Sequence, residues 1–276
     1  HTPFGHAGEE SLNESMESHG GFDHNLQTLR IVMYLENKYL KFSGLNLSIE
    51  TLEGLLKHNG PVDNFDSVNS LIGIKNFKNM INFKTYPPLE AQISSISDDI
   101  AYNNHDLQDG LRAGLFSIEE VSSIAHISKL VKKHQKHLKN FRKEIIINQI
   151  IRDLINLMVT DIINTTEKNL RVNKAKNIND IYKQNNQIVH FSKKTQEIDN
   201  QVKDFLKHNM YNNKKVLVNT DKGKMITRDL FKYLINNTKK YINKELLKTE
   251  QKERLVADFI AGMTDRFAIN LYNKIK

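Results

Sequence analysis

The sequence contains no cysteine. This excludes disulfides and cysteine-ligated zinc, so histidine and carboxylate side chains must hold any metal ion. No stretch of the chain approaches the roughly eighteen consecutive apolar residues of a membrane-spanning helix. A βαβ alternation, a P-loop and an internal repeat are also absent. The chain begins inside a motif and offers no signal peptide, so we expect a cytoplasmic protein with no membrane partner.

The composition is that of a globular protein with a net positive charge. Of the 276 residues, 39% are hydrophobic and 26% are charged, which suits a domain with a substantial core. The formal charge of +8 would help to attract a polyphosphate or a nucleic acid. Part of this charge follows helical spacing, at Lys132, Lys136, Lys139 and Lys143. A solvated helix face is the favoured interpretation, and a phosphate-facing surface is the alternative.

The hydrophobic periodicity predicts an all-α fold. Helices are predicted from about Gly5 and over residues 22–39, 48–57, 89–107 and 134–168, with further helices toward the C-terminus. Asp23 is the expected N-cap of the second, and Pro87–Pro88 suits the start of the fourth. Gly110 and Gly114 are expected to end that helix before a new one starts at Ser117. Residues 62–86 and 173–187 are predicted connections, and residues 219–223 are a predicted turn.

The helix predicted over residues 134–168 has its core candidates at helical spacing. They are Ile145, Ile146, Ile150, Ile151, Leu154, Leu157 and Met158.

The first motif is His-Thr-Pro-Phe-Gly-His-Ala-Gly-Glu-Glu, at residues 1–10. His6 and Glu9 are three residues apart, so on a helix they share a face and can form a hydrogen bond. A carboxylate that orients an imidazole fixes its tautomer and raises its basicity, as a general base requires. The alternative is that Glu9 and Glu10 are ordinary first-turn acids favoured by the helix dipole.

The second motif spaces Asp98, Tyr102 and Asp106 by four residues, which puts all three on one helix face. An aspartate can complete a metal site, a tyrosine can stack on a sugar, and a further aspartate can accept a bond from a ribose hydroxyl. A polar helix face without a ligand is the alternative.

Three other segments supply candidates. His24 follows a helix start, where backbone N–H groups favour an anion. Lys57, in Leu-Leu-Lys-His-Asn-Gly-Pro, is a candidate to meet a phosphate. The segment from Asp258 to Arg266 is predicted to pack a helix against the core.

Together these motifs resemble those of the deoxynucleoside triphosphate triphosphohydrolases of the HD superfamily, the dGTPase type. The resemblance implies an all-α HD-domain helical bundle at residues 1–170 and a C-terminal helical extension at residues 171–276. It implies hydrolysis of a deoxynucleoside triphosphate to the deoxynucleoside and triphosphate. The implied roles are water activation by His6 and Glu9, phosphate contacts by His1 and His24, a metal ligand at Asp98, deoxyribose packing by Tyr102, and a bond from the 3′-hydroxyl to Asp106.

The resemblance also implies a divalent ion, Mg²⁺, Mn²⁺ or another transition metal, held by a histidine, a His-Asp pair and a distant aspartate. Only the last of these, Asp98, is present. We therefore expect an N-terminally truncated chain that binds metal weakly or not at all and turns over slowly. A homo-oligomer is implied as well.

Two alternatives stay open. One is an HD phosphohydrolase acting on another nucleotide phosphoester. The other is a non-catalytic module that binds a nucleotide or a single-stranded nucleic acid through its basic helix.

Overall fold

The computed structural model describes residues 2–63, 68, 80–134 and 142–276. This part of the chain contains fourteen α-helices and no strand, which confirms the predicted all-α fold. The helices are α1 (Gly5–Ser15), α2 (His24–Arg30), α3 (Ile49–Leu56), α4 (Leu89–Ala113), α5 (Ile118–Val121), α6 (Ala125–His134), α7 (Lys143–Val172), α8 (Ile178–Tyr182), α9 (Lys193–Leu206), α10 (Lys214–Asn236), α11 (Thr238–Tyr241), α12 (Leu246–Thr249), α13 (Lys252–Ala261) and α14 (Asp265–Ile275). No helix in the described residues is both long enough and apolar enough to cross a bilayer.

The chain folds into two compact units. The first consists of His1–Leu56, Val62–Phe83 and Leu217–Lys276, and the second of Lys57–Pro61 and Lys84–Val216. The domain boundary expected after residue 170 stays a prediction, and that residue lies within α7.

The first unit has two clusters of buried side chains. One joins α1, α10, α13 and α14, with Leu12, Leu230 and Ile260 fully buried. The other joins α2 and α3 through Leu29, Leu52 and Leu56. Burial of these apolar faces stabilises short helices that would be marginal alone.

The core of the second unit is centred on α4 and α7, together with α9. Its fully buried side chains include Leu107 of α4, Leu154 and Met158 of α7 and Leu206 of α9. Most of the predicted core positions of α7 are confirmed. Ile145 is an exception: its side chain is 45% exposed, because it lies in the first turn of α7, where that face of the helix meets solvent.

The helix predicted over residues 22–39 is shorter than expected. Asp23 is its N-cap, as predicted, and its carboxylate accepts a bond from the Leu26 amide at 2.9 Å. The α-helix ends at Arg30 and continues as a π-helical turn from Ile31 to Leu35. The carbonyl of Val32 then accepts from the Leu45 amide at 2.7 Å, so a returning segment takes the place of further helical turns.

Two glycine predictions are wrong for the same physical reason. Gly110 lies inside α4, where a Cβ would stand 2.2 Å from the Phe116 ring; the helix ends at Gly114, whose φ is +64°. Residues 219–223 lie inside α10 and do not form a turn. A Cβ on Gly223 would lie 2.8 Å from Phe4, so both helical glycines serve close packing.

The remaining boundaries agree with the expectations in part. Ser117 caps α5 in a capping box with Glu120, as a new helix start at that position predicts. The helix predicted over residues 134–168 is realised as α7, which begins at Lys143, while α6 ends at His134. Residues 135–141, including Lys136 and Lys139 of the basic helix face, lie outside the described residues.

Candidate functional site

The first motif folds as a tight turn that leads into α1. The Thr2 hydroxyl donates to the Gly5 carbonyl at 3.0 Å, and the Phe4 amide donates to the Asp265 carboxylate at 2.9 Å. A Cβ on Gly8 would lie 1.9 Å from the Pro3 carbonyl oxygen, so only glycine fits there. The proline and glycines of the motif therefore start the helix at Gly5 and place His6 and Glu9 in its first turns.

Glu9 holds His24 at the start of α2. One carboxylate oxygen, Oε1, accepts from the His24 backbone N–H at 3.0 Å and is 2.7 Å from its Nδ1. The side chains of Glu9 and His24 are 15% and 29% exposed. The exposed His6 ring stands edge-on to the His24 ring, with centroids 6.4 Å apart and planes at 76°. Three of the predicted site residues thus come together in the first unit, and His1 lies outside the described residues.

The bond between Glu9 and His24 was missed by the sequence analysis, which paired Glu9 with His6. Its chemical consequence is a preferred tautomer, because the Glu9 carboxylate favours a proton on the His24 Nδ1. The signal in the sequence was the Asp-His pair at residues 23–24, which fixes a helix start and so the direction of the His24 amide.

The second motif lies on one face of α4, as predicted. The Tyr211 hydroxyl, from a π-helical turn after α9, donates to Asp106 Oδ2 at 2.5 Å. Burial raises the pKa of Tyr211 far above its usual range, and the bond to Asp106 raises it further. Burial raises the pKa of Tyr102 too, with a contribution from the Asp106 charge. Both phenols therefore stay protonated at neutral pH and can donate hydrogen bonds.

Asp98, one turn before Tyr102, is 74% exposed and has His58 as a neighbour. His58 Nε2 is 3.8 Å from Asp98 Oδ2. His58 was part of a segment singled out in the sequence but received no role there. The adjacent Lys57 is fully buried: its ammonium donates to the Thr85 hydroxyl at 3.0 Å and lies 5.8 Å from the Tyr182 ring centre. A phosphate contact by Lys57 stays a prediction.

The donor set around Asp98 does not fit the divalent ion that the resemblance implies. The described residues of the second unit place one imidazole, that of His58, beside the Asp98 carboxylate, whereas a firmly held catalytic ion needs several fixed ligands. In the described residues, one group of three side chains with histidine or carboxylate donors lies within 4.8 Å: Glu9, Asp23 and His24. Its donors already serve the Glu9–His24 bonds and the Asp23 cap.

The fold is that of an all-α protein, and comparison with known proteins gives its class. Residues 189–274 match the family described as phosphohydrolase-associated domain. The chain is 56% identical over 271 residues to the deoxyguanosinetriphosphate triphosphohydrolase-like protein of Pelagibacter ubique (strain HTCC1062), an alignment covering 98% of this chain and 73% of that relative.

Proteins of the same name from two Rickettsia species align along the whole chain. Those of Rickettsia felis and Rickettsia typhi are each 39% identical over 280 residues, covering 100% of this chain and 73% and 72% of the relatives, respectively. The chain belongs to the family of deoxyguanosinetriphosphate triphosphohydrolase-like proteins.

Proposed function

We propose that the chain is a deoxynucleoside triphosphate triphosphohydrolase. The observation that carries this proposal is the cluster of Asp106, Tyr102 and Tyr211 in the second unit. A half-buried carboxylate that is held by one phenol and lies beside a second aromatic ring suits a deoxyribose, which has a 3′-hydroxyl to donate a hydrogen bond and an apolar 2′ carbon to pack. Asp106 Oδ1 would accept from the 3′-hydroxyl while Tyr211 holds Oδ2.

The first unit supplies the groups suited to phosphate chemistry. His24, whose ring is oriented by Glu9, would contact the phosphate chain. His6, exposed beside it, would take the proton of the attacking water. The water oxygen bonds to the α-phosphorus, the bond from that phosphorus to the 5′ oxygen breaks, and the 5′ oxygen takes up a proton. The products are a deoxynucleoside and an intact triphosphate.

The name shared by the relatives supports a nucleotide substrate, since each is named for hydrolysis of deoxyguanosine triphosphate. An HD phosphohydrolase acting on a ribonucleotide phosphoester would have no use for a contact that reads deoxyribose. A basic helix that binds nucleic acid would not depend on Tyr102 or Asp106.

A substrate panel tests the proposal. The chain, extended upstream with the histidine and His-Asp ligands that the resemblance implies, is assayed with dGTP, GTP, dGMP and a cyclic dinucleotide. We expect hydrolysis of dGTP, little of GTP, and none of the other two. Tyr102→Ala should raise KM for dGTP and reduce discrimination against GTP. His105→Ala, at an exposed position of the same helix, is the matched control and should change neither. Equal rates with the cyclic dinucleotide, or a Tyr102→Ala protein that discriminates as well as the parent, would contradict the proposal.

A further inference from the structure

Helix α13 holds both ends of the segment that presents His24. Before α2, the guanidinium of Arg254 donates from Nη2 to the Gly21 carbonyl at 2.8 Å. Within α2, Gln27 donates from Nε2 to Asp258 Oδ1 at 3.0 Å. Arg254 is only 8% exposed, so its guanidinium makes this contact inside the protein and not in solvent.

The end of α2 is fixed more strongly. Arg30 donates from Nε to both oxygens of Asp258 at 2.9 Å and from Nη2 to Oδ2 at 2.7 Å. It also pairs with Glu250. The side chains of Arg30 and Asp258 are 9% and 8% exposed. A buried, multiply bonded ion pair of this kind permits one relative position of its two helices.

The bond between Glu9 and His24 depends on where α2 lies. Both groups of His24 that meet Glu9, its N–H and its Nδ1, reach the same oxygen, Oε1. A small displacement of α2 would therefore lengthen both bonds together, and hydrogen bonds weaken quickly with distance and angle. His24 is the first residue of α2, so its N–H has no acceptor within the helix and relies on Glu9.

We propose that Asp258 and Arg254 are positioning residues, which hold α2 so that His24 stays against Glu9. Both lie in residues 189–274, the region that matches the phosphohydrolase-associated domain, and this gives part of that region a specific task. The sequence alone predicted only that residues 258–266 pack a helix against the core. The catalytic meaning of the coupling rests on the proposed function, but the coupling itself is measurable without substrate.

Hydrogen exchange of the His24 backbone amide tests the coupling directly, by NMR on the whole chain in the absence of nucleotide. Glu9→Ala gives the exchange rate with the acceptor removed. Arg254→Lys keeps the charge but loses the planar guanidinium, and Asp258→Asn keeps the shape but loses the charge. We expect His24 to exchange about tenfold faster in each of these two variants than in the parent, as for a weakened hydrogen bond.

Asp153→Asn is the matched control. Asp153 of α7 is also a carboxylate bound by several side chains, Lys133, His134 and Gln149, but it belongs to the second unit. Exchange is compared at denaturant concentrations that give all variants equal overall stability. Faster exchange of His24 in Arg254→Lys and Asp258→Asn, and not in Asp153→Asn, supports the proposal.

Unchanged exchange of His24 in both test variants, or equal acceleration by Asp153→Asn, would overturn it. If Asp258→Asn fails to fold, Gln27→Met removes one neutral bond to Asp258 and, with Arg254→Lys, keeps the test decisive. If the chain shows this coupling but the chain extended upstream does not hydrolyse dGTP, the proposed function alone is refuted.

Discussion

Tyr211 donates a hydrogen bond of 2.5 Å to Asp106, although the two residues are 105 positions apart in the sequence. The turn after α9 thus brings Tyr211 to Asp106 and Tyr102, and the four-residue spacing along α4 does not predict this third residue. The phenol stays protonated because burial and the neighbouring carboxylate both raise its pKa. Asp106 Oδ2 is consequently held by a side chain from another element of the second unit.

Tyr211→Phe removes only this hydroxyl. We expect KM for dGTP to rise about tenfold with kcat within a factor of two, since a bond that orients a ground-state contact is lost. Steady-state kinetics of the extended chain provide the measurement. A fall in kcat at unchanged KM would instead assign Tyr211 to the chemical step.

His6→Ala, in contrast to Tyr211→Phe, should lower kcat and leave KM nearly unchanged. A general base works mainly in the transition state, so kcat should fall by about 10²–10⁴-fold with little change in substrate binding. His19→Ala, an exposed histidine of the same unit, is the control and should retain full activity. A His6→Ala protein with normal kcat and raised KM would show that His6 contributes to substrate binding and is not the general base.

The site residues differ in how well the sequence predicts which of them lie together. Asp98, Tyr102 and Asp106 lie on one helix, so a four-residue spacing is enough to place them on one face. Glu9 and His24 lie on different helices, and Tyr211 follows a third, so their partners depend on tertiary packing that no local period encodes. The predictions at Gly110 and Gly223 were wrong for a related reason. Local propensity disfavours glycine in a helix, but Phe116 and Phe4 pack so closely against these positions that a Cβ would not fit.

Asp153 provides a pH-dependent test of the second unit. Hydrogen bonds from Lys133 and then His134 lower the pKa of its carboxyl group to about 2. Because the folded-state pKa is depressed, this stabilisation is present above about pH 4 and is lost as pH falls toward 2. At pH 6, Asp153→Asn should lower the free energy of unfolding by about 1–2 kcal/mol. Thermal melts from pH 6 to pH 2 should show the difference from the parent shrinking, and a difference that grows on acidification would contradict the assignment.

The donor set at Asp98 predicts weak binding of a divalent ion. With His58 as the neighbouring ligand, we expect the chain as it stands to retain much less than one equivalent of Mn²⁺ after gel filtration. Elemental analysis measures the retained metal, and His58→Ala should reduce it further if this pair supplies the binding. One full equivalent, unaffected by His58→Ala and Asp98→Ala, would mean that other residues hold the ion.

The identity of the first product tests whether the chain hydrolyses dGTP at the α-phosphorus. The extended chain is incubated with dGTP, and the nucleoside and phosphate products are separated by ion-exchange chromatography from the earliest time points. Attack at the α-phosphorus with cleavage to the 5′ oxygen predicts deoxyguanosine and intact triphosphate in equal amounts. Pyrophosphate with dGMP, or orthophosphate with dGDP, as the first products would contradict the proposed function.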